Sequence, residues 1–305
     1  MSAHRLPAHV PLSAVVLVVG AVACFTVADA IVKFLSQRYP VPLLLFVRFA
    51  LQVAVTVAWL APKMGWRLVR TAQPKLQLLR GTVMIGSALC FVNALRWLPL
   101  ADATAINFTT PILVVLLSMV LLKERVTRSR WAFVAAGFAG MLLIVRPGAA
   151  ILHGAALLAL GAAGFYAIFQ ILTRKLRAED PRVTLLYPAL CGTVLMALPL
   201  PFLGPVADVP WTHVALVAAF GAAGMLGHFL FILAFRHAPA SALTPFTYVQ
   251  LVWAMALGWL VFGHFPDRWS LAGIAIIAGS GLLLAWHERR RALAGVVTEE
   301  PPTVD

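Results

Sequence analysis

The chain has 305 residues, of which 62% are hydrophobic and 11% charged, with a mean hydropathy of +0.92. A soluble domain averages roughly 45–50% apolar and about 25% charged residues. One water-soluble core cannot hide this much apolar surface, three cysteines exclude a disulfide scaffold, and the apolar excess excludes disorder. The net charge is +13, with a pI near 10.8. The Lys and Arg sit mainly in short gaps between apolar runs, as expected of residues that orient a membrane protein, and not of a nucleic-acid surface.

A bilayer admits only helices or closed barrels. The apolar runs do not alternate and are about 20 residues long, so they predict spanning helices. Ten runs follow in chain order: 11–35, 41–60, 76–98, 101–122, 131–145, 152–173, 183–203, 212–236, 239–262 and 269–287. The fifth is short, about 22 Å at 1.5 Å per residue, and needs Arg130 and Arg146 to snorkel outward. The expected fold is an all-α membrane protein of ten transmembrane helices. A cleavable leader would fit Arg5 and the small-x-small Ala28-Asp29-Ala30, but the internal repeat argues for a retained first span.

The second half repeats the first. At an offset of 141, Gly20-Ala21, Phe25, Asp29, Lys33 and Pro40 fall on Gly161-Ala162, Tyr166, Gln170, Arg174 and Pro181. At 140, Ala94, Arg96, Pro99 and Thr104 fall on Ala234, Arg236, Pro239 and Thr244. Five spans per copy is odd, so the copies enter the membrane from opposite sides. The expected organisation is an arm at 1–10, repeats at 11–147 and 152–287, and a disordered tail at 288–305. One set of loops, with the termini, carries eighteen Lys/Arg against five on the other, and Arg48 alone lies inside a span. That asymmetry predicts an inner-membrane protein with both termini cytoplasmic.

No HExxH, GxSxG or Walker motif is present, so no catalytic residue, cofactor or metal site is expected, and transport would run on a solute or proton gradient. Cys24, Cys90 and Cys191 lie in apolar spans as small hydrophobes. The sequon Asn107-Phe108-Thr109 lies within a span. Intramembrane polar groups are the candidates for function. Asp29 and Arg48 lie at matched depths of about 9–10 Å, with Lys33 one turn from Asp29; with Arg80 they form a candidate gate or ion-pair set. Arg80 can alternatively snorkel, and Arg96 and Arg236 are interfacial anchors.

Thr104, Asn107 and Pro111 share one helix face, as do Thr244, Thr247 and Tyr248 in the repeat. Pro111 and Pro245 each remove a backbone donor within a span. The candidate substrate-binding set is Asn107, Thr110, Tyr166, Gln170, His228, Thr247, Tyr248, Gln250 and Trp253. Gly221, Gly224 and Gly227 before His228 predict close helix packing.

The stretch from Ala94 to Pro147 carries Pro99, Ala103-Thr104, Pro111 and Lys123-Glu124; Phe46-Val47-Arg48-Phe49 and Arg80-Gly81 precede it. These segments resemble the EamA family of the drug/metabolite transporter superfamily. Gly263-His264 stands where that pattern has Gly-Glu. The resemblance implies ten helices, cytoplasmic termini and a central cavity open to one side at a time. With Asp29 the one acid counted inside the membrane against Arg48, Arg80 and His228, the cargo expected is small, zwitterionic and carboxylate-bearing. It would be an amino-acid-derived compound, a metal-chelating one included, moved outward by secondary transport. A proton is the candidate coupling ion, membrane lipid surrounds the protein, and nucleic acid is no partner. The alternatives are an importer of a cofactor-like metabolite such as riboflavin or S-adenosylmethionine, and a multidrug or lipid-flipping member.

Overall fold

The computed structural model describes residues 11–122, 128–145, 150–176, 178–204, 209–238 and 240–297. The expected N-terminal arm lies outside them, as do Lys123 and Glu124.

Twelve α-helices make ten crossings. They are α1 (Leu12–Ser36), α2 (Val41–Met64), α3 (Pro74–Leu95), α4 (Leu100–Asn107), α5 (Thr110–Leu122), α6 (Arg128–Val145), α7 (Ala150–Lys175), α8 (Pro181–Ala197), α9 (Trp211–His237), α10 (Ala240–Thr247), α11 (Val249–Phe262) and α12 (Arg268–Val297). Among the described residues nine stretches are long and apolar enough to span, and Trp131–Val145 of α6 is a shorter apolar helix. The fourth and ninth crossings are broken helices, α4 with α5 and α10 with α11. The helical end of α12 runs to Val297, past the boundary expected at 287, so the first part of the tail is helical and not disordered.

Prolines set the starts. Pro74 and Pro181 open α3 and α8, and Pro99 and Pro210 stand just before α4 and α9. Proline's fixed φ suits the first helical turn, where its missing N–H has no partner to lose. Asp180 caps α8 by accepting from the Arg182 backbone N–H at 2.8 Å. Gly263 ends α11 in the left-handed region at φ 67°, where a Cβ would be strained.

Repeat symmetry is visible in the packing. The duplication maps α1 onto α7 and α3 onto α9; α1 packs along α9, and α3 packs along α7. It also maps α2 onto α8 and α6 onto α12, and each of these pairs packs together. The chain is two inverted five-span repeats interleaved about a pseudo-two-fold axis. After an even ten crossings the start of α1 and the end of α12 fall at one face of the bundle, called here the terminal face; the other is the distal face.

Small residues permit the close crossings, as in membrane bundles generally. A Cβ at Gly221 would run into Leu51, and one at Gly227 into Phe25. These glycines press α9 against α2 and α1, which is the packing role the sequence predicts. Outward-facing positions are apolar, with Trp66, Trp97 and Trp211 strongly exposed at helix ends, where indoles favour a membrane interface.

Candidate substrate site

Three ionisable side chains meet between α1, α2 and α9. Asp29 and Arg48 are half-buried and His228 is exposed. Arg48 lies within electrostatic reach of both Asp29 and His228. None of the three makes a hydrogen bond or a direct salt bridge with a described residue. Their environment is aromatic. The Arg48 guanidinium sits 5.3 Å from the Phe220 ring centroid and 5.8 Å from that of Phe49, and it lies over Gly224. The His228 ring stands edge-on to Phe25, with centroids 4.9 Å apart. A Cβ at Gly224 would touch the guanidinium at ordinary contact distance, so the middle glycine of that row lies beside the charged cluster.

Lys33 does not join Asp29. Its ammonium donates to the carbonyls of Leu95 and, at 2.7 Å, Leu98, and lies 5.4 Å from the Phe262 ring. The local i, i+4 attraction, about 0.2–0.5 kcal/mol, loses to two charged hydrogen bonds at the C-terminus of α3. The physical reason is Pro99. The Leu95 carbonyl would accept from residue 99, and proline has no N–H to give.

Arg80 does not snorkel. It is buried at 6% exposure, with Nε donating to Thr173 Oγ1 (2.6 Å) and a terminal nitrogen donating to the Thr184 carbonyl (2.7 Å). Its plane lies 4.2 Å from the Phe169 centroid. The same logic holds, because the Thr184 carbonyl would accept from residue 188, which is Pro188 within α8. Tyr166 is half-buried, stacked on Phe169 at 5.6 Å and within electrostatic reach of Arg80. Gln170, the repeat mate of Asp29, is exposed.

The broken crossings hold the remaining candidates. Pro111 frees the Asn107 carbonyl, and Thr110 Oγ1 donates to it at 2.7 Å. Thr110 is buried, so its hydroxyl mends the break and does not face open space in this conformation. Thr104 likewise donates to its own Leu100 carbonyl at 2.7 Å. Asn107 Oδ1 is buried with no donor. The breaks fall at Phe108 and Tyr248, which are repeat mates at offset 140, and their rings meet across the axis with centroids 4.9 Å apart. Tyr248 is buried against Gly281, where any Cβ would overlap the phenol. Thr247 and Gln250 are half-buried, and Trp253 is 38% exposed. The structure thus gathers Asp29, Arg48 and His228 in one place and Arg80 with Tyr166 in another, and sets Tyr248 on the axis.

The family follows from comparison with known sequences. The EamA-like transporter family matches residues 12–146 and 153–286. The chain belongs to it. It is a multi-pass membrane protein and a transporter of the drug/metabolite type, and the family implies a small-molecule substrate. This EamA transporter is 26% identical over 267 residues to an S-adenosylmethionine uptake transporter of Rickettsia conorii, covering 86% of this chain and 88% of the relative. It is 28% identical over 274 residues to the pseudopaline exporter CntI of Pseudomonas aeruginosa, covering 90% and 96%. It is 27% identical over 291 residues to a riboflavin transporter of Vibrio cholerae, covering 93% and 96%. A solved crystal structure with 21% identity superposes with a TM-score of 0.63 over 92% of this chain and 98% of the other, which shows the shared fold.

Proposed function

We propose that this EamA transporter carries a small zwitterionic, carboxylate-bearing metabolite by alternating access, with Arg48 holding the carboxylate and Asp29 the cationic group. The observation that carries this reading is the Asp29–Arg48–His228 cluster, where opposite charges are gathered and none has a hydrogen bond to a described residue. Charged groups inside a membrane protein are costly and pair with something. Here the partner left to them is water or cargo. The structure also narrows the charge argument. Lys33 and Arg80 cap proline-freed carbonyls, which leaves Arg48, of the three intramembrane Lys and Arg described, to recognise an anion. One guanidinium beside one carboxylate fits a zwitterion better than a dianion or a lipophilic cation. Phe25, Phe49 and Phe220 supply an apolar wall for a non-polar body.

The relatives are named for three different cargoes and for both uptake and export, so direction rests on energetics. The chain carries no nucleotide-binding motif; net flux follows the gradients, and for a metabolite made in the cytoplasm that flux is outward. The Lys/Arg asymmetry supports a cytoplasmic terminal face.

The test is counterflow in proteoliposomes loaded with amino-acid-derived metabolites, their methyl esters, and a permanent cation lacking a carboxylate. The free acids should exchange and the esters should compete poorly. Equal exchange of the permanent cation overturns the reading in favour of a multidrug activity.

A further inference from the structure

The two faces of the bundle carry matching ties between the repeats, built from different chemistry. At the distal face, His213 in the first turn of α9 is buried against the α1–α2 connection. Its Nδ1 lies 2.6 Å from the Tyr39 hydroxyl and its Nε2 3.3 Å from an Arg38 terminal nitrogen. Phe34 of α1 closes the ring edge-on at 5.9 Å. At the terminal face, Glu179 in the α7–α8 connection accepts from the Thr71 hydroxyl (2.8 Å) and the Ala72 backbone N–H (3.1 Å), just ahead of α3. The repeat maps α1–α2 onto α7–α8 and α9 onto α3, and at offset 141 Arg38 falls on Glu179. The ties are therefore symmetry mates, one on each side of the membrane.

The distal tie alone of these two contains an imidazole. A guanidinium has only donors, so the Arg38 contact is a hydrogen bond only while His213 Nε2 accepts. Nδ1 then carries the ring proton and donates to the Tyr39 oxygen. A proton taken by Nε2 from bulk water removes that acceptor and sets an imidazolium beside a guanidinium. Arg38 and Tyr39 are the charged and titratable groups that face His213 among the described residues, and Asp208 lies outside them. The Glu179 tie is made by a carboxylate that accepts from a hydroxyl and a backbone N–H, with no imidazole in it.

We propose that His213 is a proton-sensitive catch on the distal gate: neutral, it fastens α9 to the α1–α2 connection, and protonated, it lets go while the Glu179 catch on the terminal face stays shut. The catch uses the transporter assignment and not the identity of the cargo. A mildly acidic distal compartment would then favour a cavity open to that compartment.

Spin labels test it in nanodiscs without any cargo, so its outcome is separate from that of the cargo proposal. In the full chain with Cys24, Cys90 and Cys191 replaced by Ala, one pair of labels sits at Gln37 and Thr212 and a second at Gln73 and Arg182. On moving from about pH 7.5 to about pH 5.5, the long-distance population of the distal pair should rise about threefold while the terminal pair holds still. His213→Gln keeps one acceptor and one donor but cannot take the proton, and should abolish the rise. Arg38→Gln removes the repelling cation without touching His213, and should blunt it. A flat wild-type response, an undiminished rise in either variant, or an equal rise in the terminal pair overturns the proposal.

Discussion

Arg80 offers a decisive test, because its role as a backbone cap can be rescued from the other side. Replacing it by Met removes two charged hydrogen bonds, to Thr173 Oγ1 and to the Thr184 carbonyl. At about 1.5–3 kcal/mol each, the expected loss is about 3–6 kcal/mol. The guanidinium over Phe169 at 4.2 Å adds up to about 2 kcal/mol in a dry site. Part of the loss is the stranded Thr184 carbonyl, worth about 1–3 kcal/mol when buried and unmet. Pro188→Ala returns an amide N–H to the position that would satisfy it. Arg80→Met should therefore cost about 1–3 kcal/mol less in the Pro188→Ala background than in the wild type. Reversible unfolding in mixed SDS micelles reads all four corners of this cycle. A coupling below about 0.5 kcal/mol, the limit of ordinary additivity, refutes the cap. Transport retained in the rescued double variant would further separate Arg80 from the cargo-binding residues.

Asp29→Asn and Arg48→Gln should each weaken cargo binding by roughly ten- to a hundredfold, the worth of one charged hydrogen bond; competition counterflow measures it. Neither should approach the stability loss expected at Arg80, since neither makes a hydrogen bond or salt bridge with a described residue; Arg48→Gln gives up the ring contacts to Phe220 and Phe49, worth about 0.5–2 kcal/mol. Lys33→Met should destabilise by about 3 kcal/mol or more by stripping the Leu95 and Leu98 carbonyls, with Lys33→Arg restoring part of it in the same unfolding assay. Gly281→Ala should cost about 1–3 kcal/mol by overpacking against Tyr248, and Tyr248→Ala in the same chain should recover most of it; no recovery would place the strain elsewhere.

The helix breaks are legible in the sequence because proline's missing N–H is a local property. Pro111 announces the interruption that the structure sets just before it, at Phe108–Thr109, whereas Pro245 lies inside α10 and the second break falls three residues after it, at Tyr248. The repeat is legible because prolines and arginines keep their register across it. The partners of the cations are not legible. Lys33 has an acid one turn away, and only the fold brings the end of α3 closer still. Arg80 four residues into a span reads equally as a snorkelling residue until α7 and α8 are seen to close over it. A signal exists in hindsight: each cation caps a carbonyl four residues before a proline, Leu95 before Pro99 and Thr184 before Pro188. His213 gives no sequence signal, because its partners come from the other repeat.

The meeting of Phe108 with Tyr248 has a mechanical consequence. A point on a two-fold axis is carried onto itself. When interleaved inverted repeats exchange conformations, α1 against α9 takes up the arrangement of α3 against α7, and the reverse. The Phe108–Tyr248 contact, like the α2–α8 and α6–α12 seams, has no counterpart to trade with. Under the proposed alternating access it would be the stationary bearing about which the two halves turn. A crosslink there should be tolerated throughout the transport cycle, whereas one between α1 and α9 should freeze it.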